Sequence, residues 1–271
     1  MNVDYPLVSA TWLSENINHP KLICIDASLK NPVNVGISIN MQIIPRSVAF
    51  DWEKFSDLNN PLPHTMPQAD QFTQAARELG ICSDSLVVVY DRAGIYSSAR
   101  VWWMFLAMGF QNCFVLDGGL PEWNKMGYTA VSTYEEPKEN GNFKAHFRSK
   151  LISSKADVSK ALPDRSTYII DARSADRFHG RVPEPRKGLR TGNIPNSINI
   201  PFENVLVEHK LRDKEELEQI FSTIPTKHIP LIFSCGSGVT ACIDALAATV
   251  IGFKTISIYD GSWSEWGEGD G

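Results

Sequence analysis

The sequence predicts an α/β protein made of two tandem copies of one domain, each a mostly parallel sheet with helices on both faces. Two observations predict it: the chain repeats itself over most of its length, and in each copy short Val/Ile-rich runs alternate with helical stretches. The segment Leu86 to Trp123, LVVVYDRAGIYSSARVWWMFLAMGFQNCFVLDGGLPEW, lies over Leu231 to Trp266, LIFSCGSGVTACIDALAATVIGFKTISIYDGSWSEW.

The elements follow in order within each of these segments. An apolar strand comes first, LVVVY or LIFS, with no polar alternation, as a strand covered on both faces requires. A glycine-bearing loop follows, DRAGIY or CGSGVT, and then a helical stretch that ends at Gly-Phe. A second strand leads to an Asp-Gly turn and a tryptophan. Upstream, LICIDAS at Leu22 to Ser28 corresponds to YIIDARS at Tyr168 to Ser174, and IPRSVAFD at Ile44 to Asp51 to IPNSINIPF at Ile194 to Phe202. The polar, turn-rich VSTYEEPKENGNFKAHFRSK between the copies reads as a linker. The expected division is residues 1–130, a linker at 131–150, and residues 151–271.

With 271 residues, 43% of them hydrophobic, the chain has enough apolar material for two ordinary cores. Its 26 basic and 31 acidic residues give a net charge of −5 with no basic stripe, so neither nucleic acid nor an anionic membrane is an expected partner. An anionic substrate must then be caught by local arginines. No run approaches the length of a membrane span, and a cytoplasmic location is the default expectation. Five scattered cysteines, Cys24, Cys82, Cys113, Cys235 and Cys242, lack the spacing of a disulfide framework or a metal site, so no metal is expected. Cys242 reads as a buried, inert thiol inside a helix.

The loop CGSGVT separates the two copies chemically, because the repeat sets Asp91 against Cys235 and only the second copy carries a nucleophile. Gly236 and Gly238 allow the backbone to curl and aim amide N–H groups inward. A helix beginning near Val239 directs the positive end of its dipole at the same spot, and a thiol there is expected to ionise more readily.

The two-copy layout, CGSGVTA, the closing YDGSWSEW and the first-copy YDRAGIYSSARVWW together resemble the rhodanese-type sulfurtransferases over nearly the whole chain. The resemblance implies two rhodanese-like domains, the first non-catalytic and the second catalytic. It implies an enzyme without cofactors, in which Cys235 takes sulfur from a small-molecule donor, holds it as a persulfide, and passes it to a thiol acceptor such as thioredoxin, or to cyanide. Gly236 and Ser237 are neutral where thiosulfate-using relatives place basic residues, which points to 3-mercaptopyruvate, with pyruvate released. A thiosulfate sulfurtransferase and a non-catalytic rhodanese-like binding module are the alternatives. The related phosphatases need an arginine where this chain has Ala241, which argues against phosphatase chemistry.

The resemblance also carries over individual residues. In DRFHGRVPEPRKG, Asp176 to Gly188, it gives Arg177 and Arg186 the donor's carboxylate and ketone to hold, whereas Arg181 and Arg190 read as solvated loop residues. Gly236, Gly238, Val239 and Thr240 of the loop complete the donor-binding set. In FDWEKFSDLNNPLPHTMP, Phe50 to Pro67, it assigns Glu53 and His64 to a proton relay with Ser237. The family's GHIPG turn departs to GNIPN at Gly192 to Asn196, which reads as structural support, and Trp263 and Trp266 read as core packing.

Overall fold

Parallel strands must be buried on both faces, and the apolar runs of this chain form two such sheets. The computed structural model describes residues 6–29, 42–163 and 166–268. The chain divides into two compact units. Unit 1 comprises Met1–Phe55, Pro67–Phe147 and Glu208–Lys210, and unit 2 comprises Ser56–Met66, Arg148–Val207 and Leu211–Gly271.

Unit 1 runs β1 (Leu7–Val8), α1 (Ala10–Asn16), β2 (Leu22–Asp26), β3 (Ser47–Ala49), α2 (Ala69–Glu78), β4 (Leu86–Tyr90), α3 (Ser98–Ala107), β5 (Cys113–Leu116) and α4 (Gly119–Lys125). Its five strands lie in the order β1-β5-β4-β2-β3, and every pairing is parallel. Ser9 starts α1 by accepting the Trp12 N–H at 3.1 Å. All ten residues of α3 are buried, Ser98 and Arg100 among them, and the other eight are apolar on every side. The stretch after α4 packs along this unit: Val131 bridges Ile43, and Phe143 and Ala145 are buried.

Unit 2 contains β6 (Ile152–Ser153), α5 (Lys155–Ala161), β7 (Tyr168–Asp171), α6 (Ala175–Phe178), β8 (Ile198–Asn199) and β9 (Leu206–Val207), which pairs with β10 (Lys210–Leu211). Then come α7 (Lys214–Ile220), β11 (Leu231–Ser234), α8 (Ala241–Val250), β12 (Ile256–Tyr259) and α9 (Ser262–Trp266). A capping box at Ser154 and Asp157 starts α5. The parallel order β6-β12-β11-β7-β8 reproduces that of unit 1 strand for strand, so the repeat in the sequence is a repeat of topology.

This order locates the candidate site. In unit 2 the chain leaves β7 toward β8 on one side and leaves β11 toward β12 on the other, although β7 and β11 are neighbours. Their carboxyl ends therefore diverge, and open α/β sheets hold ligands in the crevice at such a switch point. Asp171 and Ser234 end these two strands in register, and Cys235 follows directly.

Candidate active site

Cys235 is 2% exposed and continues a strand whose four residues are all buried. Gly238 then takes φ +76, a left-handed conformation that an L side chain resists. This turn ends before α8 begins at Ala241, near Val239 as the sequence suggests. The left-handed Gly238 cannot join a right-handed helix, so Val239 and Thr240 complete the turn. Their carbonyls accept from the Cys242 and Ile243 N–H groups at 3.2 and 3.0 Å. Cys242 lies buried in α8, and its thiol donates to the Gly238 carbonyl at 3.2 Å.

The turn that opens α9 holds the loop from behind. The Cys235 N–H donates to Ser262 Oγ at 3.2 Å, and the Cys235 carbonyl accepts from the Trp263 N–H at 2.9 Å. The Gly236 carbonyl accepts from both the N–H and the hydroxyl of Ser264, at 2.9 and 2.7 Å. Ser262 sits at φ +49, where its counterpart Gly119 has φ +53. Left-handed backbone costs a non-glycine residue about 1–2 kcal/mol. The Ser262 hydroxyl offsets that cost by donating to the Tyr259 carbonyl at 2.8 Å while accepting from Cys235.

The matching loop of unit 1 shows what such a turn can hold. The Asp91 carboxylate accepts from the N–H groups of Ala93, Tyr96 and Ser98 at 2.9, 2.9 and 3.0 Å. Burial, the larger influence, pushes this carboxyl above its ordinary range, while the three amides pull it down. The first copy thus fills its own anion nest with a side chain. Arg92, which takes the place of Gly236, is tied to the buried Asp26, with Nε to Oδ2 at 3.1 Å. In unit 2 Ser237 and Thr240 match Ala93 and Tyr96, and Ala241 opens α8 as Ser98 opens α3, with a thiol in place of the carboxylate.

Two arginines flank the thiol loop. A Cβ on Gly236 would stand 3.1 Å from Arg177 Nη2, so the guanidinium lies against this residue and fits because it has no side chain. Arg186 Nη1 donates to Ser264 Oγ at 2.8 Å, the hydroxyl that also holds Gly236. Burial of its guanidinium, the largest influence, together with Arg177, holds Arg186 below its ordinary value against the pull of Cys235 and Glu184. An arginine so placed still carries its charge at neutral pH.

Behind Arg177 runs a chain of charges that sequence reasoning did not single out. Arg173, fully buried, grips Asp171 through Nε and Nη2 and reaches Glu184 Oε1 through Nη1 at 2.8 Å. Its Nη2 also donates to the Gly192 carbonyl, and its guanidinium stacks 4.1 Å from the Trp263 ring centre. Glu184 in turn holds Arg177, with Oε2 2.5 Å from Nη2 and Oε1 3.3 Å from Nε. Trp263 is buried, as its core reading expects. Arg190 is exposed, as its solvated reading expects, with its guanidinium 5.3 Å from the same ring and Nη2 donating to the Trp266 carbonyl. The exposed Arg181 pairs with the exposed Asp176.

The predicted residues therefore fall into three places. Cys235, Gly236, Ser237, Gly238, Val239 and Thr240 share one loop, with Arg177 and Arg186 beside it. His64 belongs to the 56–66 segment of the same unit, half-buried and at φ +59, two residues before Met66, whose N–H donates to Asp260 Oδ2 at 2.8 Å. Glu53 is exposed in unit 1, with its N–H on Asp51 Oδ1.

Comparison with known proteins agrees with this geometry. The rhodanese-like domain family matches twice, at residues 9–126 and 154–268. The chain is 38% identical to 3-mercaptopyruvate sulfurtransferase of Escherichia coli (strain K12) over 96% of its own length and 94% of that protein. It is also 38% identical to thiosulfate/3-mercaptopyruvate sulfurtransferase 1, mitochondrial, of Arabidopsis thaliana, over 96% of its length and 76% of the relative. The crystal structure of SseA from Escherichia coli, described as a 3-mercaptopyruvate sulfotransferase with the rhodanese fold, superposes with a TM-score of 0.85 at 35% identity, covering 95% of this chain and 98% of that one. With two copies of the domain, one closing its anion nest with Asp91 and the other heading it with Cys235, the chain belongs to the rhodanese family.

Proposed function

We propose that this protein is a sulfurtransferase that moves sulfur from 3-mercaptopyruvate, through a persulfide on Cys235, to a thiol acceptor such as reduced thioredoxin. One observation carries the reading. A thiol heads a loop whose counterpart in unit 1 binds a carboxylate through three amides, and two guanidiniums lie beside that loop. The names of the relatives support the donor, and the neutral Gly236 and Ser237 support it over thiosulfate.

The chemistry proceeds in two halves. The Cys235 thiolate attacks the donor sulfur, and a sulfur–sulfur bond forms as the carbon–sulfur bond breaks. The bonding pair leaves with the carbon as pyruvate enolate, which takes up a proton to become pyruvate. Arg177 and Arg186 hold the carboxylate and favour the charge developing on the ketone oxygen. The amides of Ser237, Val239 and Thr240 favour the persulfide anion, and Gly236 and Gly238 give the loop its close approach. Ser237 and His64, both of unit 2, supply the enolate's proton. In the second half the acceptor thiolate attacks the outer sulfur, and Cys235 is released as a thiolate. This ping-pong scheme draws on no cofactor.

A reduced acceptor fits a reducing compartment, and the proposal includes a cytoplasmic site of action. The scattered free cysteines are compatible with it. Among the described residues no helix is long and apolar enough to cross a membrane.

The test is donor kinetics on the arginine variants. Arg177→Ala and Arg186→Ala should each lower kcat/KM for mercaptopyruvate by about tenfold to hundredfold, the worth of one charge-assisted contact. Thiosulfate, which has no carboxylate, should lose less. Equal losses for the two donors would mean that the arginines support the fold and do not read the substrate.

A further inference from the structure

The segment VPEPR at 182–186 places one carboxylate between two prolines, and Pro185 disfavours the helical region for Glu184. The Glu184 side chain is 2% exposed, and a buried carboxylate is tolerated only with good partners. Two guanidiniums supply them, Arg173 and Arg177. Arg173 already has a carboxylate of its own, because Asp171 takes its Nε and Nη2. The four residues thus alternate in sign, Asp171, Arg173, Glu184, Arg177, and their charges sum to zero. Arg186 differs. Its hydrogen-bond partner is the neutral Ser264 hydroxyl, and among the described residues it forms no ion pair.

We propose that Glu184 sets the charge of the donor this site accepts: by pairing with Arg177 it leaves Arg186 as the guanidinium beside the Cys235 loop with which, among the described residues, no carboxylate pairs, so the site takes a monoanionic sulfur donor in preference to a dianionic one. The proposal deepens the reading of Arg177 and Arg186 as donor receptors and rests on it. Arg177 keeps N–H groups that Glu184 does not use and presents them beside Gly236, so it orients a carboxylate by direction more than by net charge. Mercaptopyruvate carries one negative charge, matched by Arg186. Thiosulfate carries two, and the second meets no net countercharge. Glu184 is a positioning residue in this account, acting through Arg177.

The test is Glu184→Gln in the full chain, a change that keeps shape and removes one charge. With kcat and KM measured for both donors at two ionic strengths, the ratio of thiosulfate to mercaptopyruvate kcat/KM should rise on the order of tenfold. The rise should come through a lower KM for thiosulfate and shrink at the higher ionic strength. Equal losses for both donors would overturn the proposal, since a purely structural Glu184 moves both together. A second measurement needs no variant. At fixed ionic strength, pyruvate should protect Cys235 of the unaltered protein from alkylation at lower concentration than sulfate does, and equal or better protection by sulfate would overturn the proposal even if Glu184→Gln does not fold. Should the unaltered protein turn over thiosulfate and not mercaptopyruvate, the donor reading fails first and this proposal with it. An unchanged ratio in Glu184→Gln, with mercaptopyruvate still the donor of the unaltered protein, removes the role of Glu184 alone.

Discussion

Asp244, in the first turn of α8, is fully buried. Among the described residues, neither Asp244 oxygen has a hydrogen-bond partner. Burial raises its pKa well above the ordinary carboxylate range, and the negative charges of Cys235, Asp171 and Glu203 raise it further. The linkage sign follows from that direction. A carboxyl whose folded pKa exceeds its unfolded value contributes its full stability below the unfolded pKa and loses it as pH rises toward the folded one. At neutral pH the protein therefore bears a penalty that an amide would not bring. Asp244→Asn should raise Tm at neutral pH by a few degrees, about 1 kcal/mol for a chain of this size. The gain should fade near pH 3, below the unfolded carboxylate pKa of ~3.9. Thermal unfolding of the two proteins across that range checks it, and a gain that is independent of pH would contradict the assignment.

At the scale of elements, the turn into α9 and the thiol loop act as one clamp, and Ser262 is where strain and purpose meet. Gly119 shows that glycine accepts this backbone, so Ser262→Gly relieves strain while removing the acceptor for the Cys235 N–H. The strain relieved and the hydrogen bond lost are each about 1 kcal/mol, so Tm should move by only a few degrees. Sulfur transfer should fall about tenfold, because the loop loses one of its fixed points. Calorimetry and steady-state kinetics on the same preparation separate the two effects, and a fall in activity matched by a collapse in Tm would contradict the clamp. The clamp was legible only in part. Laying DGG over DGS exposes the extra serine, but nothing in the letters says that its hydroxyl meets the cysteine amide.

At the scale of the whole molecule, the repeat was the most legible feature, because each copy must bury a parallel sheet and therefore shows the same apolar runs. Both sheets share one strand order, and the nucleophile loop falls at the switch point. Cys235, Arg177 and Arg186 were readable from the family resemblance. Arg173 and Glu184 were not, because charged residues are ordinarily exposed and sequence offers no sign that Asp171, Trp263 and Gly192 enclose this pair. The account stands on Cys235 as the sulfur carrier, and the intact mass of the protein after brief exposure to mercaptopyruvate without acceptor tests that most directly. The account predicts a gain of one sulfur atom in the unaltered protein, removed by adding reduced thioredoxin, and no gain in a folded Cys235→Ser variant. A gain that survives in Cys235→Ser, mapped to Cys24, Cys82, Cys113 or Cys242, or no gain in the unaltered protein while pyruvate is released, would contradict it.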